Sequence, residues 1–367
     1  VPRDLDELRR RIAEADAALV DLVATRLTLA RQVGEVKRER GLPVRNYATE
    51  SEVLARFREL AADAGLDERL AERLALLLIS EAVRTQETIE ARSNPGRRIL
   101  LVGGAGKMGR WLASFFTSQG HTVSILDPAG TVAPFPTPAT LSTGVAAADV
   151  ILITTPLAAG REVLQSVLAL RPRGLVADTF SLKSHVLDLL HEATAGGGHR
   201  VASVHPLFGP EARTLAGRVV AVCDCGDAGA ADEAASLFAD TALTITRLPV
   251  ARHDELMQYV LGLSHLVAIL FFTTLARSGG SFADLAQAAS TTFLKQARTA
   301  AEVARESPTL YFEIQRLNRH SADLFALVRA TLAEIERAAL ADDPQQFIAL
   351  MQRGRRFFPD SLPAELS

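Results

Sequence analysis

The chain has 367 residues, 48% of them hydrophobic and 23% charged, with 24 Gly and 16 Pro. That length supports two or three domains with a sizeable core, and the composition excludes disordered, collagen-like and low-complexity structure. A formal net charge of −3 and a pI near 6.3 give no electrostatic reason to expect nucleic acid or an anionic membrane as partner, while the 40 Lys and Arg leave room for local basic pockets.

Residues 1–92 read as helix nearly throughout. Leu5, Leu8, Ile12, Leu19, Leu22, Leu29, Val33 and Val36 recur at helical spacing, with no Gly or Pro between Leu5 and Gly34. The pattern predicts a helix of roughly 35 residues, against ~10–14 for an average one, and a helix so long packs along a partner, as in a dimer. Gly41-Leu42-Pro43 ends it, and two more helices are expected, from Thr49 to Ala64 and from Asp67 to Ile89. Ser93-Asn94-Pro95-Gly96 is turn chemistry, and the period changes after it. Buried-strand patterns at Arg98–Val102, Thr122–Leu126, Val150–Thr154, Gly174–Asp178 and Arg200–Val204 alternate with helical ones, which predicts a doubly wound parallel sheet. From Arg252 the chain reads as helix to its end, broken at Gly279-Gly280 and Ser307-Pro308. The expected organisation is multidomain: an all-α three-helix bundle over 1–92, an α/β Rossmann-type parallel-sheet domain over 97–250 and an all-α domain over 251–367.

Cys223 and Cys225 lie one residue apart near a strand end. They make a poor disulfide and half a metal site at most, so both are read as plain thiols and no metal is expected. The N-terminal stretch is charged and helical, without the apolar segment of a signal peptide, and the longest apolar run, Leu266–Phe272, is too short to span a membrane. A soluble cytoplasmic protein is the expectation.

Gly104-x-Gly106-x-x-Gly109 falls between a predicted strand and a predicted helix that opens with Lys107 and Met108. Glycines there allow a tight turn, close backbone approach to a pyrophosphate and helix-on-strand packing, and the helix N-terminus offers free N–H groups to phosphate. Asp127 ends the next strand, 18 residues after Gly109. A carboxylate there accepts the ribose hydroxyls and repels a 2′-phosphate, so the cofactor expected is NAD. Thr155-Pro156, just past the third strand, are placed with it.

Two further loops follow strand ends, where ligands bind in open α/β sheets. One is Asp178-Thr179-Phe180-Ser181-Leu182-Lys183, the other Val204-His205-Pro206-Leu207-Phe208-Gly209-Pro210. A neutral imidazole at His205 can accept the proton of an alcohol whose carbon gives up hydride. His121, His185, His191 and His199 lack such context and are read as surface residues.

The sequence GGAGKMG, the D-x-x-S-x-K loop and HPLFGP together resemble the prephenate dehydrogenase family, and residues 1–92 resemble the all-helical chorismate mutase family. Their fusion in this order is similar to the bifunctional chorismate mutase–prephenate dehydrogenase (T-protein) family over nearly the whole chain. The resemblance implies that chorismate is rearranged to prephenate and that prephenate is oxidatively decarboxylated to 4-hydroxyphenylpyruvate. His205 would hydrogen-bond the ring C4 hydroxyl and assist hydride transfer to NAD as the ring carboxylate leaves as carbon dioxide. Ser181 would position ring and nicotinamide, Lys183 would support the same pocket, and the C-terminal helices would dimerise and close the site.

The mutase reaction is pericyclic, so the protein must hold a compact dicarboxylate and stabilise charge on the breaking ether oxygen. Cations on a helix face are the groups to seek. Arg26 and Lys37, 11 residues apart, lie within ~20° of one face. The resemblance implies that Arg9, from the partner chain, and Arg26 clamp carboxylates, that Lys37 and Gln86 face the ether oxygen and that Glu50 faces the C4 substituent. The expected partners are therefore small dicarboxylates and a second copy of the chain, with no nucleic acid and no membrane.

The sequence departs from the family pattern in three places. Thr49 stands where the mutase bundle often has Arg, Asn46 where stand-alone mutases have Asp, and Glu302 where the dehydrogenase family has a substrate-binding Arg. Arg298, four residues earlier on the same helix face, offers a local repair. The other explanation is a substrate with an amine at C4: the same two reactions on 4-amino-4-deoxychorismate and 4-amino-4-deoxyprephenate, giving 4-aminophenylpyruvate. A third reading keeps only the dehydrogenase and makes the bundle structural or regulatory, against which stand Arg9, Arg26, Lys37 and Gln86. His265, beside an apolar run, is read as core.

Overall fold

A computed structural model describes residues 4–39, 47–87, 96–196, 198–212, 215, 218–239, 241 and 243–358. The N-terminal helices are α1 (Leu5–Glu39), α2 (Tyr47–Ala64) and α3 (Glu68–Glu87). Helix α1 runs for 35 residues without interruption, the length its composition predicts. Both α1 and α2 pack on α3, with Ala30, Ala61, Ala71, Ala75 and Leu78 buried; small side chains let the backbones approach. The apolar stripe of α1 is not consumed by that packing. Leu5, Ile12, Leu19, Leu22 and Leu29 are each more than half exposed, although the spacing that places them on one face is intact.

The central domain is built from β1 (Arg98–Val102), α4 (Lys107–Ser118), β2 (Thr122–Leu126), α5 (Leu141–Ala147), β3 (Val150–Ile153), α6 (Leu157–Ala169), β4 (Leu175–Asp178), α7 (Leu187–Ala195), β5 (Val201–Pro206), β6 (Val219–Asp224), α8 (Ala228–Ser236) and β7 (Thr244–Pro249). They form a seven-stranded sheet in the order β2-β1-β3-β4-β5-β6-β7. Strands β1–β5 are parallel, as expected from the strand–helix alternation, and their C-terminal ends share one edge. Strands β6 and β7 go beyond the sequence reading. β6 runs antiparallel to β5, so the sheet is mixed rather than wholly parallel. The Val219–Cys223 run was legible only as a strand end, and β7 is a half-exposed edge strand with weak apolar alternation.

Two apolar clusters cover the faces of the sheet. Ile99, Leu101, Ala202 and Val204 belong to one, with Phe116 and Phe238 from α4 and the turn after α8. Leu100, Ile151, Val201 and Cys223 belong to the other. Strand alternation therefore puts His205 on the side of Val201. Both cysteines are free and buried, and burial pushes the Cys223 thiol up to about 12.

The C-terminal helices are α9 (Val250–Met257), a π-helical turn (Gln258–Leu263), α10 (Ser264–Arg277), α11 (Phe282–Gln287), α12 (Thr291–Arg305), α13 (Pro308–Leu317), α14 (Ser321–Ala339) and α15 (Gln345–Phe357). Ser281, Ser290 and Ser307 cap α11, α12 and α13 by accepting a backbone N–H three residues on, so the expected breaks at Gly279-Gly280 and Ser307-Pro308 precede real helix starts, and the start at Ser290 adds one that the sequence reading lacked. Val250 and Met257 of α9 join the cluster that contains Cys223, which lays α9 against the face that carries His205. One expectation is corrected here. The continuous helix Val250–Arg277 has 28 residues and a window of mean hydropathy 1.9, of which only 11% is buried. By length and composition it could cross a membrane. The count of consecutive apolar residues missed this because Gly262, Ser264 and His265 interrupt the run while lowering its mean hydropathy little.

Phe116 is fully buried, 5.1 Å from Phe115 and 5.7 Å from Phe238 between ring centroids. Phe116→Ala is expected to cost the central domain about 3–5 kcal/mol. A urea titration followed by the fluorescence of Trp111, the single tryptophan, which stacks on Phe115 in the same cluster, measures it.

Candidate active site

The glycine-rich turn lies at the C-terminal end of β1. Gly103 takes φ +84, and a Cβ there would meet Thr155 at 2.5 Å. A Cβ on Gly109 would meet the Gly104 Cα at 2.5 Å, whereas around Gly106 nothing lies within 4 Å. Gly103 thus lets the turn lie against the loop after β3, Gly109 lets α4 lie against the turn, and Gly106 leaves open space in front of the α4 N-terminus. Gly106 is the N-cap of α4, with no side chain capping it, and Lys107 and Met108 form its first turn, so the N–H groups there are available to phosphate. Asp127 is fixed beside the turn: its Oδ2 accepts the Ala105 N–H at 2.9 Å and its Oδ1 that of Ala129 at 2.8 Å. Thr155 Oγ1 is buried with no hydrogen-bond partner among the described residues. Strand order reverses between β1 and β3, and a crevice at such a switch point is where dinucleotides bind. The open space at Gly106, the orphaned Thr155 hydroxyl and the fixed Asp127 carboxylate fit NAD.

The second group of predicted residues meets at the same sheet edge, beyond β4 and β5. His205 lies on β5 and is 4% exposed. Burial pushes its pKa well down, with His253 and Lys183 adding to the effect, so the ring is neutral. Its Nδ1 lies 3.0 Å from His253 Nε2, and His253 Nδ1 lies 2.7 Å from Asp254 Oδ1. The Asp254 carboxylate accepts the N–H groups of Lys183 and Ser184 at 2.9 and 2.6 Å and the Ser184 hydroxyl. Burial raises the pKa of Asp254, but the hydrogen bonds from His253, Ser184 and Lys183 hold it well below the usual carboxylate range. Asp254 is ionised and His253 neutral.

Lys183 is held wholly by the protein. Its ammonium donates to Asp178 Oδ1, Phe180 O and Val204 O at 2.6, 2.7 and 2.9 Å, and the side chain is 1% exposed. Three donors meet three protein acceptors, so none remains for a substrate. Lys183 ties the Asp178–Lys183 loop to β5 and supports the pocket from below. Ser181 is half-buried in that loop.

Two of the histidines read as surface residues are not. His121 is 8% exposed and its Nδ1 accepts the Arg97 N–H. His185 packs on Phe180 with centroids 5.2 Å apart, and both ring nitrogens are buried. His199 is half-buried, and His191 is exposed as expected. His265 is half-buried rather than fully core, and meets Tyr311 edge-on at 4.4 Å. His253 and Asp254 were missed altogether. Their only sequence signal is the Arg-His-Asp-Glu stretch 252–255 at the start of a helix, which reads as solvated charge until β7 carries it back over the sheet.

In the bundle, Arg26 is half-buried and its Nη1 donates to Leu78 O at 2.7 Å; burial, then Arg56, lowers its pKa. Lys37 is half-buried on the same helix. Arg9 is exposed and paired with Asp6 at 3.4 Å. It stands 17 residues before Arg26, about 25 Å along the axis, so one chain does not bring Arg9 to the other two cations. Glu50 lies on α2 and Gln86 on α3, while their side chains, and all of Asn46, lie outside the described residues. Arg298 and Glu302 are both exposed on α12, and among the described residues they form no ion pair. A cavity of about 510 Å³ lined by His191, Thr194, Asp224, Cys225 and Pro249 lies at the opposite sheet edge, and none of the predicted site residues lines it.

The family model for type II chorismate mutase matches residues 8–87. Those for the prephenate dehydrogenase nucleotide-binding and dimerization domains match 137–243 and 249–353. The T-protein of Enterobacter agglomerans is 27% identical over 97% of this chain and 94% of its own length. The 4-amino-4-deoxyprephenate dehydrogenase of Streptomyces pristinaespiralis is 29% identical over 69% of this chain and 88% of its own. The prephenate dehydrogenase of Aquifex aeolicus, solved with hydroxyphenyl propionate and NAD+, has the same dehydrogenase fold, with a TM-score of 0.56 and 17% identity over 72% of this chain and 99% of that one.

Burial lowers the pKa of His121, His185, His205, His253 and His265 below the ordinary 6.5. Below that value the unfolded chain binds protons that the folded chain refuses, so stability falls as pH drops through about 6.5. The carboxylates held down to about 2, Asp149 and Asp188, lose their contribution only below the usual carboxylate range, outside this window. A lower urea midpoint at pH 5.5 than at pH 7.5 is the expected outcome.

Proposed function

From a chain that belongs to the bifunctional chorismate mutase–prephenate dehydrogenase family, we infer which residues carry each of its two activities. The protein rearranges chorismate to prephenate and oxidatively decarboxylates prephenate with NAD to 4-hydroxyphenylpyruvate, the tyrosine branch of aromatic amino-acid biosynthesis. We place the mutase in residues 1–92, the NAD-binding domain in 97–250 and the substrate and dimerisation domain in 251–367.

The dehydrogenase assignment rests above all on one observation: a buried, neutral His205 stands at the sheet edge that also carries the open glycine turn. The Gly104, Gly106 and Gly109 turn with the N-terminus of α4, at Lys107 and Met108, would receive the pyrophosphate. Asp127 would accept the ribose hydroxyls, and Thr155 and Pro156 would flank the dinucleotide. NAD, when bound, would supply the hydride acceptor for the ring carbon. His205 accepts the proton of the C4 hydroxyl as the carbonyl forms; departure of carbon dioxide then sends its electron pair through the ring to that oxygen, which takes the proton back as the ring becomes aromatic. Ser181 orients the ring toward the nicotinamide, and Lys183 keeps the Ser181 loop and β5 in register.

In the mutase half, Arg26 holds a carboxylate, Lys37 and Gln86 stabilise charge on the ether oxygen, and Glu50 faces the C4 substituent. Arg9 reaches this pocket from a second chain, since about 25 Å of helix separates it from Arg26 within one. A homodimer also covers the exposed stripe of α1, and in the dehydrogenase half it covers the apolar α10, which lies in the family's dimerization domain. That gives the 28-residue helix a protein partner in place of lipid, in keeping with a cytoplasmic enzyme.

Glu302 favours a second reading, because an acidic group in place of the family's Arg suits an ammonium on the substrate. NADH formation at 340 nm, with chorismate or 4-amino-4-deoxychorismate as the starting compound, separates the two. Faster turnover of chorismate is expected, and faster turnover of the amine would replace hydroxyl by amine in both steps. Silence with both compounds would sink the two-activity reading. Lys37→Ala is expected to lower mutase kcat at least ~100-fold with prephenate oxidation retained. Equal loss of both, with the circular dichroism spectrum intact, would refute separate sites.

A further inference from the structure

We propose that His253 and Asp254 are positioning residues that hold His205 in the tautomer with its proton on Nδ1, so that Nε2 is the proton acceptor. The inference rests on reading His205 as the group that takes the substrate proton, and it assigns roles to two residues that act through that ring.

An ionised carboxylate only accepts hydrogen bonds. Asp254 Oδ1 lies 2.7 Å from His253 Nδ1, so the single proton of neutral His253 is on Nδ1, and its Nε2 carries a lone pair. That lone pair faces His205 Nδ1 at 3.0 Å. Two lone pairs cannot face each other at that distance in a dry interior, so His205 Nδ1 donates. A neutral imidazole has one N–H, and Nε2 is left basic.

The arrangement is rigid because Asp254 has no freedom to turn. Its Oδ2 receives the Ser184 N–H and hydroxyl, and its own carbonyl oxygen accepts from Asn318 Nδ2 at 2.9 Å. The other charges that bear on the two rings are Lys183 and Asp178, from the loop after β4, and these pair with each other at 2.6 Å. Cys223, on the neighbouring β6, stays a neutral thiol. The buried cluster therefore carries one negative charge in excess. When His205 takes up a proton, the charge it gains is balanced through His253 by Asp254.

Geometry also picks the decisive variant. In Asp254→Asn the amide oxygen can keep the Ser184 contacts while its NH2 faces His253 Nδ1. His253 then carries its proton on Nε2 and donates to His205, which forces the His205 proton onto Nε2. The analogous carboxylate-to-amide change in a serine protease triad costs ~10⁴ in kcat by the same route.

The full chain and three variants decide the matter, with mutase activity as the control for folding. Asp254→Asn and His253→Phe are expected to lower dehydrogenase kcat at least ~100-fold with KM changed less than about threefold. His253→Gln offers an oxygen to His205 and an N–H to Asp254, and should recover to within about tenfold of wild type. Long-range proton–nitrogen spectra of histidine-labelled protein should show His205 protonated on Nδ1 in the wild type and on Nε2 in Asp254→Asn. A wild-type His205 protonated on Nε2 overturns the proposal, as does undiminished kcat in Asp254→Asn and His253→Phe. If the wild type itself forms no NADH, the functional reading fails, and the His205 tautomer still decides the relay.

Discussion

The buried Asp254 carboxylate is the constraint on which the dehydrogenase half is organised. It accepts from two backbone N–H groups, a hydroxyl and an imidazole. An ionised group removed from water persists only when its lone pairs are met in this way. Its donors come from the loop after β4 and the start of α9, while the Asp254 backbone carbonyl accepts from Asn318 in the link between α13 and α14. The Asp254 carboxylate and backbone carbonyl together tie the C-terminal helices to the sheet edge that carries His205. Lys183 makes a matching tie from the other side, using all three of its donors on the loop and on β5.

Sheet topology makes those contacts possible. Five parallel strands deliver the glycine turn, Thr155, Ser181 and His205 to one edge, because each strand of a parallel set ends on the same side. The antiparallel β6 and the edge strand β7 then carry the chain to the opposite edge. From there α9 runs back across the face that His205 occupies. That return is what brings residues 253 and 254 level with residue 205 on the same face.

The N-terminal helices obey a different logic. A 35-residue helix with an apolar stripe leaves much of that stripe uncovered by α2 and α3. The same length separates Arg9 from Arg26 by several turns. On the proposed reading, a second helix alongside the first would answer both the exposed stripe and the distance of Arg9 from Arg26. Small-residue packing at Ala30, Ala61 and Ala75 closes the bundle on its other side.

Local patterns were enough for much of this. Periodicity and turn residues alone marked the long first helix, five parallel strands, the breaks at Gly279-Gly280 and Ser307-Pro308, and the glycine turn with its acidic strand end, because each depends on residues within a few positions of one another. Burial is different. Whether His121 and His185 face water, whether the Lys183 ammonium has a donor to spare, and whether the α1 stripe is covered depend on groups distant in the chain. The His205–His253–Asp254 series joins positions 48 residues apart through a strand reversal that leaves no local signature, so only the tertiary structure brought the second imidazole and its carboxylate to the first.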